Sequence, residues 1–291
     1  MKFKFINIYK KISVFGKILL FIIILLMILA FFKVKKTEGF EQREKFVFKK
    51  GAEMYDQFYV NVYDILTNTE LNSSFEIGTI INSTSPSSES IVLDIECRTG
   101  SRTTKLNNLQ IIGLDASPFM IKKSIMKNPD HKFVVGDALN IGVFEPASFT
   151  HILCLDMNIY YFKDKRTFIN NCMDWLMPGG YFILHVVDTN SHDPILSINP
   201  SLYIGNGKSK TKQLKDFTYS INSYKNDNIT TIQEKFKFNN GNTRKQERIL
   251  YMEDKEILLT TVQQCGFTLH AISDIIKYDY GSQYIYIFVK P

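Results

Sequence analysis

Three aspartates carry the first chemical signal. Each ends a short apolar run: Ile91-Val-Leu-Asp94, Gln110-Ile-Ile-Gly-Leu-Asp115 and Lys132-Phe-Val-Val-Gly-Asp137. Any one of them reads as a turn residue or a helix cap. Three on successive strand ends converge where an open parallel sheet binds its ligand, outside the carboxyl ends of the strands. Asp115 follows Asp94 by 21 residues. At that spacing the second acid meets a ribose whose nucleotide lies over the first turn. The chemistry on offer is carboxylate recognition of a nucleoside.

Other chemistries find less support. The four cysteines, Cys97, Cys154, Cys172 and Cys265, lie far apart with no CxxC pair. Neither a zinc site nor a disulfide framework is expected, and buried free thiols of a reducing compartment are. His185 sits inside an apolar strand and reads as a core residue rather than a base. No catalytic base and no metal ligand set is assigned.

The elements that must position these acids alternate. Strand-like runs at 91–94, 110–115, 132–137, 150–155 and 181–187 are interleaved with helical segments at 100–108, 118–127 and 168–176. Pro178-Gly179-Gly180 is expected to stop the last helix and turn the chain. Continuous apolar strands between helices mean a parallel sheet covered on both faces, hence an α/β, doubly wound fold. Runs at 217–226, 229–238 and 243–252 with polar turns between them predict an inserted antiparallel meander. A helix at 256–264 and two further runs at 267–276 and 283–289 follow.

In this order the chain resembles the class I S-adenosylmethionine-dependent methyltransferases over roughly residues 50–291. Ile91 to Gly100 resembles the family's first motif, hydrophobic-LDxGxGxG. Ile112 to Ile121 resembles the second, whose acid holds the ribose hydroxyls, and Val135 to Ala138 the third, whose acid meets the adenine amine. Phe149 to Asn158 is similar to the fourth strand with its active-site loop, and Trp175 to Leu184 to the LxPGG turn and fifth strand. The aromatic segment Tyr55-Asp-Gln-Phe-Tyr59 resembles the cover over the cofactor. The resemblance implies a Rossmann-like seven-stranded sheet with a terminal antiparallel hairpin. It implies S-adenosyl-L-methionine as cofactor, with Tyr55, Tyr59, Asp94, Glu96, Gly100, Asp115, Ala116, Asp137, Ala138 and Leu155 around it. The methyl acceptor is unidentified.

The first motif departs from the pattern. Glu96 and Arg98 stand where the family has glycine, and only Gly100 remains. If the turn keeps its geometry, side chains there carry backbone strain. Either they obstruct the site, or Glu96 meets the ammonium or sulfonium and Arg98 the carboxylate of the methionine moiety. Obstruction is the expectation. An enzyme is therefore weighed against a catalytically silent binding or scaffold protein of the same fold. A nicotinamide oxidoreductase is disfavoured by the terminal hairpin.

Length and charge set the remaining bounds. The chain has 291 residues, 45% of them hydrophobic and 22% charged, enough to bury a core. Its net charge of +6 is misplaced for a nucleic-acid surface. Residues 1–50 hold twelve Lys or Arg against three Glu, leaving 23 bases and 26 acids for the remainder. Ile18 to Phe32 is an unbroken run of fifteen apolar residues between Lys17 and Lys33. With the residues before it, the run reaches the roughly 20 residues of a membrane-spanning helix. No small-residue cleavage site follows, so a retained anchor is expected rather than a signal peptide. Seven Lys or Arg within twenty residues after the run, against five before it, place the body on the cytoplasmic side. The expected organisation is a basic N-terminus and transmembrane anchor (1–36), a helical lead-in and linker (37–90), and a methyltransferase domain (91–291). Residues 190–253 form its inserted substrate-side segment.

Overall fold

The computed structural model describes residues 13–34, 44–67, 70–101, 109–195, 209–275 and 283–291. The chain divides into two units, Met1–Glu41 and Gln42–Pro291. In the first, helix α1 covers Val14–Val34, with side chains described as far as Leu26, short of a span. Among the described residues no helix is long and apolar enough to cross a membrane.

The second unit opens with β1 (Phe46–Lys50), α2 (Gln57–Thr67) and α3 (Glu70–Thr84). The alternating part follows as β2 (Ile91–Ile95), β3 (Gln110–Asp115), α4 (Pro118–Lys127) and β4 (Lys132–Val135). It continues through β5 (Phe149–Cys154), α5 (Lys165–Trp175) and β6 (Leu176–Val187). Then come β7 (Ser209–Gln213), β8 (Phe217–Asn226), β9 (Ile229–Phe238) and β10 (Thr243–Tyr251). The chain closes with α6 (Lys255–Gln264), β11 (Thr268–Asp274) and β12 (Gln283–Val289).

Seven strands lie side by side in the order β4, β3, β2, β5, β6, β12, β11. Strands β2 to β6 pair in parallel, and β12 runs antiparallel to β6 and β11. The chain steps outward from β2 to β4 and returns to β5 on the other side of β2. The switch point therefore falls at the carboxyl end of β2, where a crevice must open. One face of the sheet is closed by Ile77 and Ile80 of α3 against Val92, Ile111, Leu153, Ile183, Ile285 and Ile287. On α5, Phe168 meets Phe182 of β6 at 6.2 Å between ring centroids. Helix starts follow from capping. Ser117 Oγ accepts the Met120 N–H ahead of Pro118, and Asp164 Oδ1 accepts the Thr167 N–H.

Several expectations shift. The Pro178-Gly179-Gly180 turn is absorbed into β6, because the Gly179 N–H and the Gly180 carbonyl pair with Lys290 at 2.8 and 2.9 Å. Helix α5 begins at Lys165, three residues early, where Asp164 caps it. The third acidic run stops as strand at Val135, leaving Asp137 in a turn. Of the polar helical segment at 100–108, residues 102–108 lie outside the described residues, as do 196–208 of the insertion. The lead-in is not wholly helical. Phe46–Lys50 forms β1, which pairs in parallel with β10 from Phe46↔Thr243 to Lys50↔Glu247.

That pairing makes the expected meander part of a second sheet, ordered β1, β10, β9, β8, β7. One of its faces is buried: Phe217, Tyr219, Ile232, Phe236 and Phe238 pack there beside Glu234, Arg244, Gln246 and Arg248. Phe58 of α2 meets Phe217, Phe236 and Phe238 edge-on at 6.0, 5.1 and 5.4 Å. The Glu234 carboxylate accepts hydrogen bonds from the Tyr59 hydroxyl (2.9 Å), the Tyr219 hydroxyl (2.6 Å) and Gln246 Nε2 (3.0 Å). A carboxylate this deep tolerates burial only with such donors. Tyr59→Phe should therefore cost about 1.5–3 kcal/mol, the range for a hydrogen bond to a charged group. Urea unfolding with an unchanged midpoint would show that the Tyr59 hydroxyl contributes nothing.

Candidate functional site

A cavity of about 700 Å³ lies between the two sheets at the carboxyl ends of β2 and β3. That size suits a cofactor or drug-sized ligand. Tyr55, Glu96, Arg98, Asp115, Ala116 and Phe119 line one side of it, and Thr231, Arg248, Ile249 and Tyr251 the other. Tyr161 and Phe162, from the loop after β5, complete the wall.

The loop leaving β2 decides the shape of the site. Glu96, Arg98 and Gly100 all adopt left-handed backbone, at φ +55°, +55° and +70°. The glycine path of the first motif is kept although two of its glycines are absent. Such a conformation costs a non-glycine residue about 1–3 kcal/mol and survives only where neighbours over-determine it. Here they do. The Cys97 N–H donates to the Leu114 carbonyl at 3.0 Å, and the Ser124 hydroxyl to the Arg98 carbonyl at 2.6 Å. Asn158 Nδ2 donates to the carbonyls of Ile95 and Glu96 at 3.1 and 3.2 Å.

Asp115 is bound into the same network. Its Oδ2 accepts the Arg98 N–H at 3.0 Å and its Oδ1 the Ser117 N–H at 2.8 Å. A carboxylate offers about four lone-pair positions, so about two remain on a side chain that lines the cavity. Burial raises its pKa, opposed by the two backbone hydrogen bonds. That arrangement fits a pair of ribose hydroxyls. Burial pushes the Glu96 carboxyl up to about 8, with the Asp115 charge adding to the rise. The Arg98 guanidinium is tied down by the Tyr63 hydroxyl and by Asn158 Oδ1, the latter at 2.6 Å. It stands 5.7 Å from the Tyr63 ring and 5.5 Å from that of Tyr161.

The candidate residues divide. Tyr55, Glu96, Asp115 and Ala116 line the cavity together. Tyr59 does not, because it is buried behind Tyr55 and its hydroxyl is taken by Glu234. Asp94 is buried beneath the loop at the end of β2. Gly100 is wedged against Asn128 and Phe133, where a Cβ would come within 2.7 Å of Asn128 Nδ2, so its role is close packing. Asp137 is exposed beyond the lining and accepts the Leu139 N–H at 2.9 Å. Ala138 is buried with its carbonyl on Asn171 Nδ2, and Leu155 belongs to the isoleucine-rich core. His185 is a core residue, 2.9 Å from Gln283 Oε1 and 3.2 Å from Glu76 Oε1.

Sequence reasoning missed Tyr63, Asn158, Tyr161 and above all Arg248. Their signal was available in part. On β10 the period of two puts Arg244, Gln246 and Arg248 on the face that ends in Leu250. Three polar residues on a buried face mark a site or a network.

Comparison with known proteins follows the same lines. Residues 93–184 match the family model described as a methyltransferase domain. No functionally curated protein matches the chain. A solved S-adenosylmethionine-dependent methyltransferase from Clostridium acetobutylicum superposes with TM-score 0.61 at 16% identity, covering 79% of this chain and 97% of that one. The S-adenosylmethionine-bound amino pentose methyltransferase CalS10 from Micromonospora echinaspora gives 0.56 at 15% identity, over 76% of this chain and 90% of that one. The sugar N-methyltransferase KedS8 from Streptoalloteichus gives 0.58 at 14% identity, over 78% and 92%.

Glu96 generates a test of the loop. Between its ordinary 4.5 and about 8, the folded chain keeps a proton that the unfolded chain releases. Stability contributed by this group therefore falls as pH rises through that window. Glu96→Gln removes the slope, and Glu96→Gly also removes about 1–3 kcal/mol of backbone strain. Both variants should melt above the parent at pH 8, glycine the higher. At pH 5 the glutamine gain should vanish while part of the glycine gain stays. Equal gains for glutamine at the two pH values would show that Glu96 keeps its ordinary acidity. In sheet order, switch-point crevice and the match over 93–184, this is the Rossmann-like fold of the S-adenosylmethionine-dependent methyltransferases.

Proposed function

We infer that the chain transfers a methyl group from S-adenosyl-L-methionine to an acceptor held in the cavity between the two sheets. The observation that carries this reading is the left-handed loop at 96, 98 and 100 beside Asp115, which lines the cavity with acceptor capacity beyond its two backbone hydrogen bonds. When bound, the cofactor supplies a methyl group already activated on a sulfonium, so the protein's task is positioning and exclusion of water. Asp115 would hold the ribose hydroxyls. Glu96 would stand toward the positive sulfonium or ammonium, and a cation placed against it favours loss of its proton. Tyr55 and Phe119 would flank the ligand with apolar surface. No dedicated base is needed where the acceptor is itself a nucleophile.

A second reading keeps the fold without the chemistry, as a binding or scaffold protein. It is favoured by the Arg98 side chain, which occupies a glycine position at the cavity wall. Isothermal titration of the full-length chain in detergent separates the two. Saturable binding of S-adenosylmethionine supports the enzyme, and its absence the scaffold. Asp115→Ala should weaken that binding at least about tenfold, since a hydrogen bond to a charged group contributes roughly 1.5–3 kcal/mol. Unchanged affinity in that variant would remove Asp115 from the ribose.

The same proposal includes membrane attachment. The fifteen-residue apolar run, with the residues before it, reaches the roughly 20 residues that a membrane-spanning helix needs. Lys17 and Lys33 would snorkel to the two interfaces, and the basic residues that follow would keep the body on the cytoplasmic side. The full-length chain should stay with membranes through salt and carbonate washing, and removal of residues 1–36 should release it. Recovery of the intact chain in the wash would rule out an integral anchor.

A further inference from the structure

Arg248 is 3% exposed and lines the cavity from the second sheet. Its Nε and Nη2 make no hydrogen bond. Those two nitrogens form one edge of the guanidinium, the fork that grips an oxyanion with two parallel hydrogen bonds. The anion paired with it among the described residues does not fill it. Glu234 Oε2 stands 3.7 Å from Nη2, beyond hydrogen-bond reach. The Glu234 oxygens are already engaged by Tyr59, Tyr219 and Gln246.

The other cations around Arg248 are already matched. Arg244, on the same strand face, has its donors on Gln246, Asp56 and the Met54 carbonyl at 2.8–2.9 Å. Arg98 is held by Tyr63 and Asn158. Lys50 pairs with Glu247 at 3.5 Å. A buried guanidinium with an unpaired edge, on a side chain that lines a cavity, is costly unless a ligand completes it. The edge belongs to β10, outside the seven-stranded sheet whose strand ends hold the nucleoside.

We propose that Arg248 is the oxyanion subsite of the acceptor, and that the methyl acceptor is an acidic molecule bearing a carboxylate or a phosphate. The word acceptor rests on the methyltransferase reading, whereas the anion site does not and is tested without cofactor. Specificity then comes from the second sheet: Arg248 anchors the anionic end and leaves the nucleophilic end to reach the methyl group.

The test uses full-length protein in nonionic detergent, as the parent, Arg248→Gln and Arg248→Lys, titrated at constant ionic strength with inorganic phosphate and separately with acetate. The parent should bind at least one anion saturably. Arg248→Gln should weaken that binding at least tenfold, and Arg248→Lys, which keeps the charge and loses the fork, by a smaller factor. The preferred anion identifies the acceptor as phosphate- or carboxylate-bearing. Affinity for S-adenosylmethionine should stay within twofold in both variants. If Arg248→Gln does not fold, weakened anion binding in Arg248→Lys decides the matter alone. Three results overturn the proposal. One is no anion binding by the parent, and another is equal anion binding by the variants. The third is a tenfold loss of S-adenosylmethionine affinity that decarboxylated S-adenosylmethionine does not share, which would assign the fork to the cofactor's own carboxylate. A parent that binds anion but not S-adenosylmethionine would overturn the methyltransferase reading and leave the subsite standing.

Discussion

The left-handed path of the loop after β2 is the constraint on which the site depends. It brings the Arg98 N–H under Asp115 and leaves Glu96 at the cavity wall. It also sets carbonyls where α4 and the β5 loop can hold them, through Ser124 and Asn158. The bonds run from the loop to three separate elements, so the strain is shared among contacts that must break together. A local change at Ser124 or Asn158 therefore acts on Asp115 without touching it. That is how a packed interior transmits position.

The second sheet solves a different problem. A Rossmann-like sheet leaves its crevice open above the strand ends, and something must cover it. Here β1 and the β7–β10 segment supply the cover, joined to α2 through Phe58 and the Glu234 cluster. The joint is mixed in character. Phenylalanine rings provide apolar burial, and a single carboxylate with its donors fixes the register of cover against helix. Buried polar groups of this kind select one arrangement over neighbouring ones, since a slip would leave Glu234 unpaired.

Much of this was legible in the sequence. The apolar runs ending in Asp94 and Asp115, and the three runs of the insertion, reappear as strands with nearly the same bounds. Continuous or alternating patterns over five or more residues report burial directly. Strand β1 was not legible, because Phe46–Lys50 is short, ends in two lysines and gains its strand only by pairing with residues almost two hundred positions away. The site was half legible. Acids at strand ends announce themselves, and Asp115 and Glu96 do line the cavity. Tyr59 misled because an aromatic on a helix face is equally suited to cover a ligand or to satisfy a buried carboxylate. Only the partner, on a strand 175 residues away, decides which.

The replaced glycines bear on whether this site is damaged or rebuilt. Glycine at 98 would spare roughly 1–3 kcal/mol of strain and give no side chain. Arginine carries the strain, but its guanidinium spans Tyr63 of α2 and Asn158 of the β5 loop and lies near the rings of Tyr63 and Tyr161. A hydrogen bond to a charged group contributes about 1.5–3 kcal/mol, so two of them offset the backbone cost. Asn158 in turn uses its amide to hold the carbonyls of residues 95 and 96. Arg98 thus braces the loop whose glycine it replaced, and its side chain lies fixed along the wall rather than loose in the cavity. The geometry persists because the replacements were joined to it.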